Sequence, residues 1–464
     1  MTQPSNAAAR AELGREAERV IETSCATIFL KGDEARKLKK PVDFGFLDYS
    51  TRDKRQWALE RELLFNQETA PHIYQRIEHV ADEPVLVMRR FDDGAVLSAD
   101  PAQVGPDLAE RLGREIACFH ARARITPDGG GRANMDYVAG SNAGHIRHFA
   151  AALGAAAVED LVARTEALIE AMAPLMQARQ AAGFARRCHG DLHLGNVFLE
   201  DGRPVLFDCI EFNDTLSQID CLYDLAFVLM DLSFRGHAPA ANRVMSAYLD
   251  EAARSFDAAL WDGLALLPLY MAVRAGVRCH VSAHAGDLAL AGQYLDFGRA
   301  LLEGGTPTLI AIGGLSGSGK STEARRRAPA LSPLPGAVVL RTDELRKRLW
   351  GVDPLVPLPP AAYTPDFGAR VYASLIETAA QVLKAGHSVV LDAVFLRPEE
   401  RAAAEALAQA QGVPFTGLWM EAPPEDLAAR IAARTNDASD ATPAVLGQQL
   451  QRDPGPLNWT RTRL

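Results

Sequence analysis

A glycine-rich stretch past the middle of the chain has the residue types and spacing that bind phosphate. Residues 314–321 read Gly-Leu-Ser-Gly-Ser-Gly-Lys-Ser, and they follow an apolar run and open a helix-like segment. In such a loop the backbone N–H groups turn inward around phosphates, the lysine reaches the terminal phosphates and the last hydroxyl can hold Mg²⁺. The context disfavours a Gly/Ser loop without a ligand. The predicted nucleotide-binding residues are Gly314, Leu315, Ser316, Gly317, Ser318, Gly319, Lys320, Ser321 and Thr322.

Residues downstream of this loop could complete a site for phosphoryl transfer, in which Lys320 would also be catalytic. Asp343 and Arg346 lie three apart at a helix start, so the carboxylate can take a proton from an acceptor hydroxyl and the guanidinium can bind an anionic group of the acceptor. Asp392 ends an apolar run, where a second carboxylate holds the Mg²⁺ water shell. The alternative interpretation of the first pair is a helix-capping Asp beside a surface arginine.

Two arginines near the end of the chain suit a lid. Arg430 and Arg434 are predicted to lie one turn apart on a helix over residues 425–434, followed by Asn-Asp-Ala-Ser-Asp. Arginines on a mobile lid can meet the transferring phosphoryl group. The alternative is a pair of surface arginines.

Taken together, residues 307–464 resemble the P-loop small-molecule kinases, a group that holds polynucleotide 5′-hydroxyl kinases, gluconate kinases, chloramphenicol phosphotransferase and zeta toxins. The resemblance rests on the glycine-rich loop, on Thr-Asp-Glu-Leu-Arg at 342–346, on Leu-Asp-Ala at 391–393 and on R-x-x-x-R…S-D-A at 430–441. It implies an α/β fold and transfer of a phosphoryl group from a nucleotide to a hydroxyl.

A second loop of a different kind reads His-Gly-Asp-Leu-His-Leu-Gly-Asn from His189 onward. Asp191 could orient and deprotonate an acceptor hydroxyl, while Asn196 and Asp208, delivered by two short β-like runs, could hold Mg²⁺. His189 and His193 could form a metal pair, but a role in fixing the loop is favoured. His193 also counts among the candidate substrate-binding residues.

The segment 188–230 resembles the aminoglycoside phosphotransferase and choline kinase branch of the protein-kinase-like fold. The resemblance implies that Lys37 or Lys39 reaches the α/β-phosphates and that Glu62, or else Glu60, is its ion-pair partner. It also implies a hinge for the adenine at residues 85–91. Asp224 on the following helix is interpreted as buried support for the loop.

The chain departs from protein kinases in two places. Residues 23–27 stand where a G-x-G-x-x-G loop would cover the phosphates, and no Ala-Pro-Glu motif follows the loop. Asp208 and Asp224 are separated by only sixteen positions (224 − 208), too few to dock a protein substrate. A small-molecule acceptor is therefore expected.

Composition narrows the function classes. The 464 residues carry 49 Lys plus Arg against 59 Asp plus Glu, a net charge of −10, which argues against a protein that coats nucleic acid or an anionic membrane. The longest apolar runs, such as 263–273, stop well short of a membrane span. Six scattered cysteines without a CxxC pair indicate reduced thiols and a cytoplasmic protein.

Hydrophobic patterning divides the chain. After residue 307, strands alternate with helices, which indicates a parallel sheet covered on both faces. Upstream, β-like runs mix with a charged helix, and mostly helical sequence follows. Strands are predicted at 27–30, 85–88, 197–199, 204–208, 309–313, 337–340, 388–392 and 415–420, and the charged helix at 51–66.

The expected fold class is therefore two domains joined by a linker at 301–307. Residues 1–300 are predicted to form an α+β protein-kinase-like domain of the aminoglycoside phosphotransferase type, with an N-lobe of about 1–90 and a helical C-lobe of about 91–300. Residues 308–464 are predicted to form a P-loop NTPase domain with a parallel sheet. This order of modules resembles a bacterial two-domain family that fuses a phosphotransferase domain to a P-loop kinase domain.

The expected function is a bifunctional enzyme that uses ATP or GTP with Mg²⁺ and transfers a γ-phosphoryl group to a hydroxyl of a small molecule. The acceptor is expected to be sugar-like, aminoglycoside-like or nucleoside-like, and the oligomeric state stays open. One alternative is that a single domain is catalytic and the other is a nucleotide-binding switch. Another is a nucleic-acid 5′-hydroxyl kinase, which the net charge and the lack of a basic aromatic stripe disfavour.

Overall fold

The computed structural model describes residues 6–45, 47–435 and 437–463. The chain begins with a small lobe in which an antiparallel sheet has the strand order β1-β2-β3-β5-β4. One helix precedes the sheet and the other crosses it between β3 and β4. The elements are α1 (Ala7–Glu16), β1 (Arg19–Glu22), β2 (Ala26–Lys31), β3 (Glu34–Lys39), α2 (Arg52–Asn66), β4 (Tyr74–Val80) and β5 (Glu83–Arg89).

A larger helical lobe follows, and two short strand pairs cross one side of it: β6 with β9 and β7 with β8. The loop that starts at His189 lies between β6 and β7. The elements are α3 (Pro106–Arg122), α4 (Gly131–His148), α5 (Ala150–Leu153), α6 (Ala155–Ala181), β6 (Ala185–Arg187), β7 (Val197–Glu200), β8 (Arg203–Leu206), α7 (Asp214–Ser217), β9 (Gln218–Asp220), α8 (Cys221–Phe234), α9 (Ala238–Ala252), α10 (Ala259–Asp262), α11 (Leu267–His284) and α12 (Leu288–Leu301).

The last third of the described chain is an α/β unit around an all-parallel sheet with the order β11-β12-β10-β13-β14. The glycine-rich loop follows the central strand, β10. The elements are β10 (Leu309–Gly314), α13 (Lys320–Arg327), β11 (Val338–Arg341), α14 (Thr342–Trp350), α15 (Pro365–Lys384), β12 (Val389–Asp392), α16 (Pro398–Gln411), β13 (Phe415–Glu421), α17 (Pro424–Ala432), α18 (Pro443–Leu450) and β14 (Thr460–Arg463).

The predicted fold class and the predicted strands are confirmed, with small shifts at their ends. One boundary was wrong: the helix predicted over 425–434 ends at Ala432, so Arg434 lies beyond it. The strand at 460–463 was missed because its Thr-Arg-Thr-Arg sequence is largely exposed and carries no apolar pattern. Edge strands of this kind are held by backbone pairing, which composition does not reveal.

The kinase-like part and the α/β unit pack closely against each other. The hydrophobic cluster of the helical lobe continues into the α/β unit, from Leu249 and Trp261 to Val338 and Leu375. Polar contacts border this apolar interface: Asn242 Nδ2 donates to Ala337 O at 2.9 Å, Arg348 pairs with Asp250 at 2.8 Å and His387 Nε2 donates to Leu264 O at 2.9 Å. The two parts therefore share one continuous hydrophobic cluster, whose burial stabilises their contact.

One helical stretch, Ala259–His284, is long and apolar enough to cross a membrane by length and composition. Of its most apolar window, 78% is buried inside the protein, as expected of a core helix. Arg274 in its middle is buried and donates to the carbonyl of Gly190 at 2.9 Å. The stretch therefore belongs to the protein core.

A buried histidine makes the interface between the two parts sensitive to pH. Burial lowers the pKa of His387 from 6.5 to about 4, although the hydrogen bond to Leu264 acts in the opposite direction. The unfolded chain therefore takes up a proton at a higher pH than the folded chain does, and the stability contributed by neutral His387 is lost as the pH falls below about 6.5 towards about 4.

We expect the free energy of unfolding to fall by about 2 kcal/mol through this residue between about pH 7 and about pH 5. Urea unfolding of wild type and His387→Leu at both pH values tests this, since all other titrating groups are common to both proteins. The variant should lose less stability than wild type over this interval. Equal losses would contradict the prediction.

Candidate functional sites

Buried carboxylates hold the loop between β6 and β7 in shape. Asp224 is fully buried and accepts the backbone N–H groups of His189 at 3.0 Å and Gly190 at 2.9 Å. Gly190 has φ +85°, and a Cβ there would lie 2.7 Å from the carbonyl of Leu216, so only glycine fits. Asp231 accepts the N–H of Leu194 at 3.1 Å. The predicted role of Asp224 as support for the loop agrees with these contacts.

The loop brings Asp191, His193 and Asn196 together. Asn196 Nδ2 donates to the Asp191 carboxylate at 3.0 Å, which leaves its amide oxygen as an acceptor. His193 Nδ1 accepts the N–H of Gly195 at 2.9 Å, and its Nε2 lies 3.5 Å from the Asp191 carboxylate. Burial alone would raise the pKa of Asp191, but the charge and hydrogen bond of His193 outweigh it and hold the pKa well below its ordinary value. Asp191 is thus an ionised base at neutral pH.

Asp208 follows β8 in an unusual backbone conformation, with φ +64°. Its N–H donates to the hydroxyl of buried Tyr74 at 3.0 Å, and the next N–H, of Cys209, donates to Asn66 Oδ1 at 2.8 Å. These bonds hold a conformation that L-residues rarely adopt, a feature common at functional sites. The side chain is partly exposed, and its Oδ1 pairs with Lys37 Nζ at 2.9 Å.

The structure distinguishes the two lysines that the sequence left as alternatives. Lys37 Nζ pairs with Glu62 at 2.6 Å and with Asp208 at 2.9 Å, so it reaches the site. Lys39 points the same way from β3 but lies deeper, where it pairs with Glu62 at 2.7 Å and with Glu211. Burial alone would lower the pKa of each lysine, but these carboxylates raise it well above the ordinary value. Lys37 is therefore the phosphate-facing candidate and Lys39 a buried structural cation.

The structure also shows where two further segments lie that the sequence predicted to be near the nucleotide, the turn after β1 and the hinge. Residues 23–25 form the tight turn between β1 and β2, where the hydroxyl of Thr23 accepts the N–H of Ala26 at 2.9 Å. The predicted hinge at 85–91 runs along β5 to the crossing between the lobes, where Phe91 stacks on Phe198 with ring centroids 4.2 Å apart. Phe198 belongs to β7, so this stack joins the end of β5 to the β7–β8 pair that Asn196 precedes and Asp208 follows.

The glycine-rich loop forms a tight turn between β10 and α13. A Cβ at Gly314 would lie 2.5 Å from the carbonyl of Met420, and one at Gly317 would lie 2.6 Å from that of Leu427. Lys320 Nζ donates to Leu315 O at 2.9 Å, and burial lowers its pKa. Both glycines are therefore required for the shape of the loop.

Arg341, at the end of β11, is the main cation around this loop and was missed by the sequence analysis. Its guanidinium is buried, pairs with Asp392 at 3.1 Å, with Glu344 at 2.8 Å and with Asp437 at 3.0 Å, and donates to Ser321 Oγ at 3.3 Å. It thus bridges the hydroxyl and the carboxylate that the sequence predicted to hold Mg²⁺ and its water shell.

The segment after α17 contacts α14 and Tyr363 through Asp440. Asp440 pairs with Lys347 at 2.6 Å and accepts the hydroxyl of Tyr363 at 2.6 Å. Arg346 lies with its guanidinium carbon 5.1 Å from the Tyr363 ring centre and donates to Ala362 O at 2.7 Å. Asp343 lies one turn earlier on α14. The carboxylate of Asp440 therefore attaches the segment after α17 to α14 and to Tyr363.

The lid arginines occupy different positions. Arg430 Nη1 lies 3.5 Å from Gly317 O on the glycine-rich loop. Arg434 follows the end of α17, and its buried Nη1 has no hydrogen-bond partner among the described residues. Asn436, within the predicted lid, lies outside the described residues. Arg434 is near enough to contribute to lowering the pKa of Lys320.

The residues present fit Mg²⁺ and nucleotide phosphates. In the first site the free amide oxygen of Asn196 and the carboxylate of Asp208 are the oxygen donors that Mg²⁺ prefers. In the second, Ser318 Oγ is buried without a hydrogen-bond partner in the described part of the chain, within a loop whose N–H groups suit an anion. Because Arg341 engages Asp392, this carboxylate suits contact through water rather than direct coordination.

The fold and both sites define a two-domain phosphotransferase-like protein. Residues 59–267 match the family model described as "Phosphotransferase enzyme family", and residues 309–456 match the one described as "AAA domain". An uncharacterized protein of Mycobacterium tuberculosis is 33% identical over 452 residues, which cover 92% of this chain and 88% of that protein. An uncharacterized protein of Mycobacterium bovis matches to the same extent. The chain belongs to the same family as these proteins, and in this chain the part that matches the phosphotransferase model precedes the P-loop part.

Solved structures similar to each part include a choline/ethanolamine kinase family protein from Mesorhizobium loti, with 16% identity and a TM-score of 0.41 over 64% of this chain and 94% of that chain. A gluconokinase from Sinorhizobium meliloti shows 24% identity and a TM-score of 0.25 over 34% of this chain and 82% of that chain.

The different depths of the two lysines predict different effects of their removal. Lys37→Met should weaken Mg-nucleotide binding by about 10- to 100-fold, since it deletes the cation that faces Asp208. Lys39→Met should instead lower the free energy of unfolding by about 3 kcal/mol, because it leaves buried Glu211 without its ion-pair partner. Calorimetric nucleotide titration and urea unfolding, both in a Lys320→Ala background, separate the effects. The reverse pattern would assign the phosphate-facing role to Lys39.

Removal of the Arg341 guanidinium, which lies beside the glycine-rich loop, should lower the free energy of unfolding. Arg341→Met leaves Asp392 and its neighbouring carboxylates uncompensated, and we expect the free energy of unfolding to fall by about 3 kcal/mol at neutral pH. Arg346→Met is the matched control, since this arginine is on the adjacent helix and contacts a carbonyl and a ring; it should cost less than about 1 kcal/mol. Urea unfolding measures both, and similar losses would refute the assigned role of Arg341.

Proposed function

We propose that the protein is a cytoplasmic, Mg²⁺-dependent phosphotransferase with two active sites, each of which transfers the γ-phosphoryl group of ATP or GTP to a hydroxyl of a small molecule. The observation that carries the proposal is the joint presence of an ionised base and an amide in one loop, Asp191 and Asn196, and of a second carboxylate, Asp208, directly after the β7–β8 pair. A domain that only bound nucleotide would have no use for the base. The membership of both domains in kinase-like families supports the same class of reaction.

In the first site, Asp191 would accept the proton of the acceptor hydroxyl as the new oxygen–phosphorus bond forms. The low pKa of Asp191 means that it orients the hydroxyl from the start and takes the proton late, when the oxygen becomes acidic. Lys37 would bind the α/β-phosphates, held in place by Glu62. Bound Mg²⁺, held by Asn196 and Asp208, would neutralise charge on the phosphates.

In the second site, the N–H groups of the glycine-rich loop would bind the β- and γ-phosphates, with Lys320 beside them. Lys320 now donates to Leu315 O and would exchange this bond for a phosphate oxygen. Asp343 would orient the acceptor hydroxyl, and Arg346 would bind an anionic group of the acceptor. Arg430 and Arg434 would stabilise the charge of the transferring group.

A small acceptor suits both sites. In the first, the chain between Asp208 and Asp224 holds only the short helix α7 and strand β9, which leaves no segment to bind a polypeptide. In the second, Asp440 pairs with Lys347 and accepts the hydroxyl of Tyr363, and this contact would limit the space beside Asp343 and Arg346 for an acceptor. We therefore propose polar acceptors with several hydroxyls: sugars, sugar acids, aminoglycosides or nucleosides.

Two matched backgrounds test the proposal on the full chain. Lys320→Ala should silence the second site, and Asp191→Asn the first, each by about 10²–10⁴ in turnover. Wild type and both variants are screened for transfer of labelled γ-phosphate to sugars, sugar acids, aminoglycosides and nucleosides. Each acceptor phosphorylated by wild type should lose its signal in one variant and keep it in the other.

Nucleotide binding then separates catalysis from a switch. In the Lys320→Ala background, Asp191→Asn should leave calorimetric nucleotide affinity nearly unchanged, since Asp191 would contact the acceptor and not the nucleotide. Asp208→Asn should weaken Mg-nucleotide binding, because it removes a metal ligand. If no acceptor is phosphorylated in the Lys320→Ala background while nucleotide still binds, the first domain is a regulatory switch and the proposal of two active sites fails.

A further inference from the structure

Three histidines come together on the helical lobe, at the ends of α4 and α11. His145 lies in the last turn of α4, while His280 and His284 lie four residues apart at the end of α11, on one face of that helix. Each offers a ring nitrogen, and these three atoms lie within 4.8 Å of one another. Nothing in the phosphotransfer chemistry uses these side chains.

The ring nitrogens are close enough together to bind one metal ion. His284 Nε2 and His145 Nδ1 are 3.2 Å apart, within hydrogen-bond distance of each other and also close to the spacing of about 3.3 Å between two nitrogens bound to one tetrahedral Zn²⁺ at about 2.0 Å. The buried Nδ1 of His280 has no hydrogen-bond partner among the described residues. The three rings pack directly, with centroids 4.9 Å apart for His145 and His280 and 5.2 Å apart for His145 and His284.

The surroundings of His280 and His284 favour the neutral form of these two rings. Burial, together with His145 and His284, lowers the pKa of His280 from 6.5 to about 4, and burial with the neighbouring histidines also lowers the pKa of His284. Neutral imidazoles have the lone pairs that a metal needs. The ends of α4 and α11 add the negative ends of two helix dipoles, which favour a bound cation.

Solvent reaches the cluster through an open cleft of about 400 Å³ along α4. Gly140 and Gly144 line it, four residues apart, and a Cβ at either would meet nothing within 4 Å. This leaves room for a water or another small ligand at a fourth position on a metal. The described residues hold a second group of side chains of metal-binding type, His120, Cys188 and Asp224. All three are buried, and Asp224 already accepts hydrogen bonds from three donors.

We propose that His145, His280 and His284 form a binding site for a divalent transition-metal ion, with Zn²⁺ as the best fit. Three imidazoles without a carboxylate suit Zn²⁺, Ni²⁺ or Cu²⁺ and disfavour Mg²⁺ and Ca²⁺, which prefer oxygen ligands. This site would therefore bind a different metal from the two proposed Mg²⁺ sites, and it is built from different residues. A bound ion would join α4 to α11.

The test uses the tag-free, metal-stripped full chain without nucleotide, titrated with Zn²⁺ in the presence of excess Mg²⁺. We expect one Zn²⁺ per chain, with affinity reduced at least 100-fold in His284→Ala and in His145→Ala. Both side chains are partly or fully exposed, so the variants should fold, and circular dichroism checks this. His79→Ala, at an exposed histidine on β4, is the matched control and should bind as wild type does.

Co²⁺ gives a second readout that does not depend on affinity alone. Bound by three imidazoles and water, it should show the strong visible absorption of a four-coordinate site, which His284→Ala should abolish and His79→Ala should retain. Stoichiometric binding that survives both His145→Ala and His284→Ala, or no binding at micromolar Zn²⁺, would overturn the proposal.

Discussion

A buried cation must have an anionic partner, and each proposed phosphotransfer site is organised around one such cation. In the kinase-like part, Lys37 lies between Glu62 on α2 and Asp208 after β8, and so ties the small lobe to the larger one. In the α/β unit, Arg341 joins β12, α14 and the segment after α17 through three carboxylates. Both cations therefore hold the walls of a site in place and supply positive charge where phosphates are expected.

The reactive loop depends equally on groups outside it. Carboxylates on α8 accept its backbone N–H groups, and Arg274 on α11 donates to the carbonyl of Gly190. A loop fixed from both sides needs little reorganisation when a substrate binds, which is the condition for effective positioning of a base. Because α11 also carries His280 and His284 in its last turns, the proposed metal site and this loop share one helix.

Close packing between the two parts distinguishes this chain from a pair of tethered domains. α9 of the helical lobe contacts β11, the strand that ends at Arg341, and Asp250 on α9 pairs with Arg348 on α14. A cleft of about 450 Å³ lies along this boundary and reaches both Arg341 and Thr322. The second site is thus built on elements that rest directly against the first domain.

The sequence alone determined the features that depend on local spacing. The glycine-rich loop, the His-Gly-Asp loop, the alternation of strands and helices after residue 307 and hence the two fold classes follow from contiguous patterns, because phosphate binding and hydrophobic periodicity act over a few residues. The contiguous patterns also predicted that Asp191, Asn196 and Asp208 lie near one another, and the structure brings these three residues together. These three residues could be recognised from their motif without knowledge of any tertiary contact.

Only the tertiary structure decided the contacts between residues far apart in the chain. Lys37 and Lys39 share a strand face and were equivalent in sequence, and it is the depth of each side chain that distinguishes them. Arg341 carried no motif, and its three partners come from separate elements. The histidines of α4 and α11 are more than 130 positions apart. Burial and charge pairing are properties of the packed chain, and the order of residues does not reveal which distant groups will share one buried space.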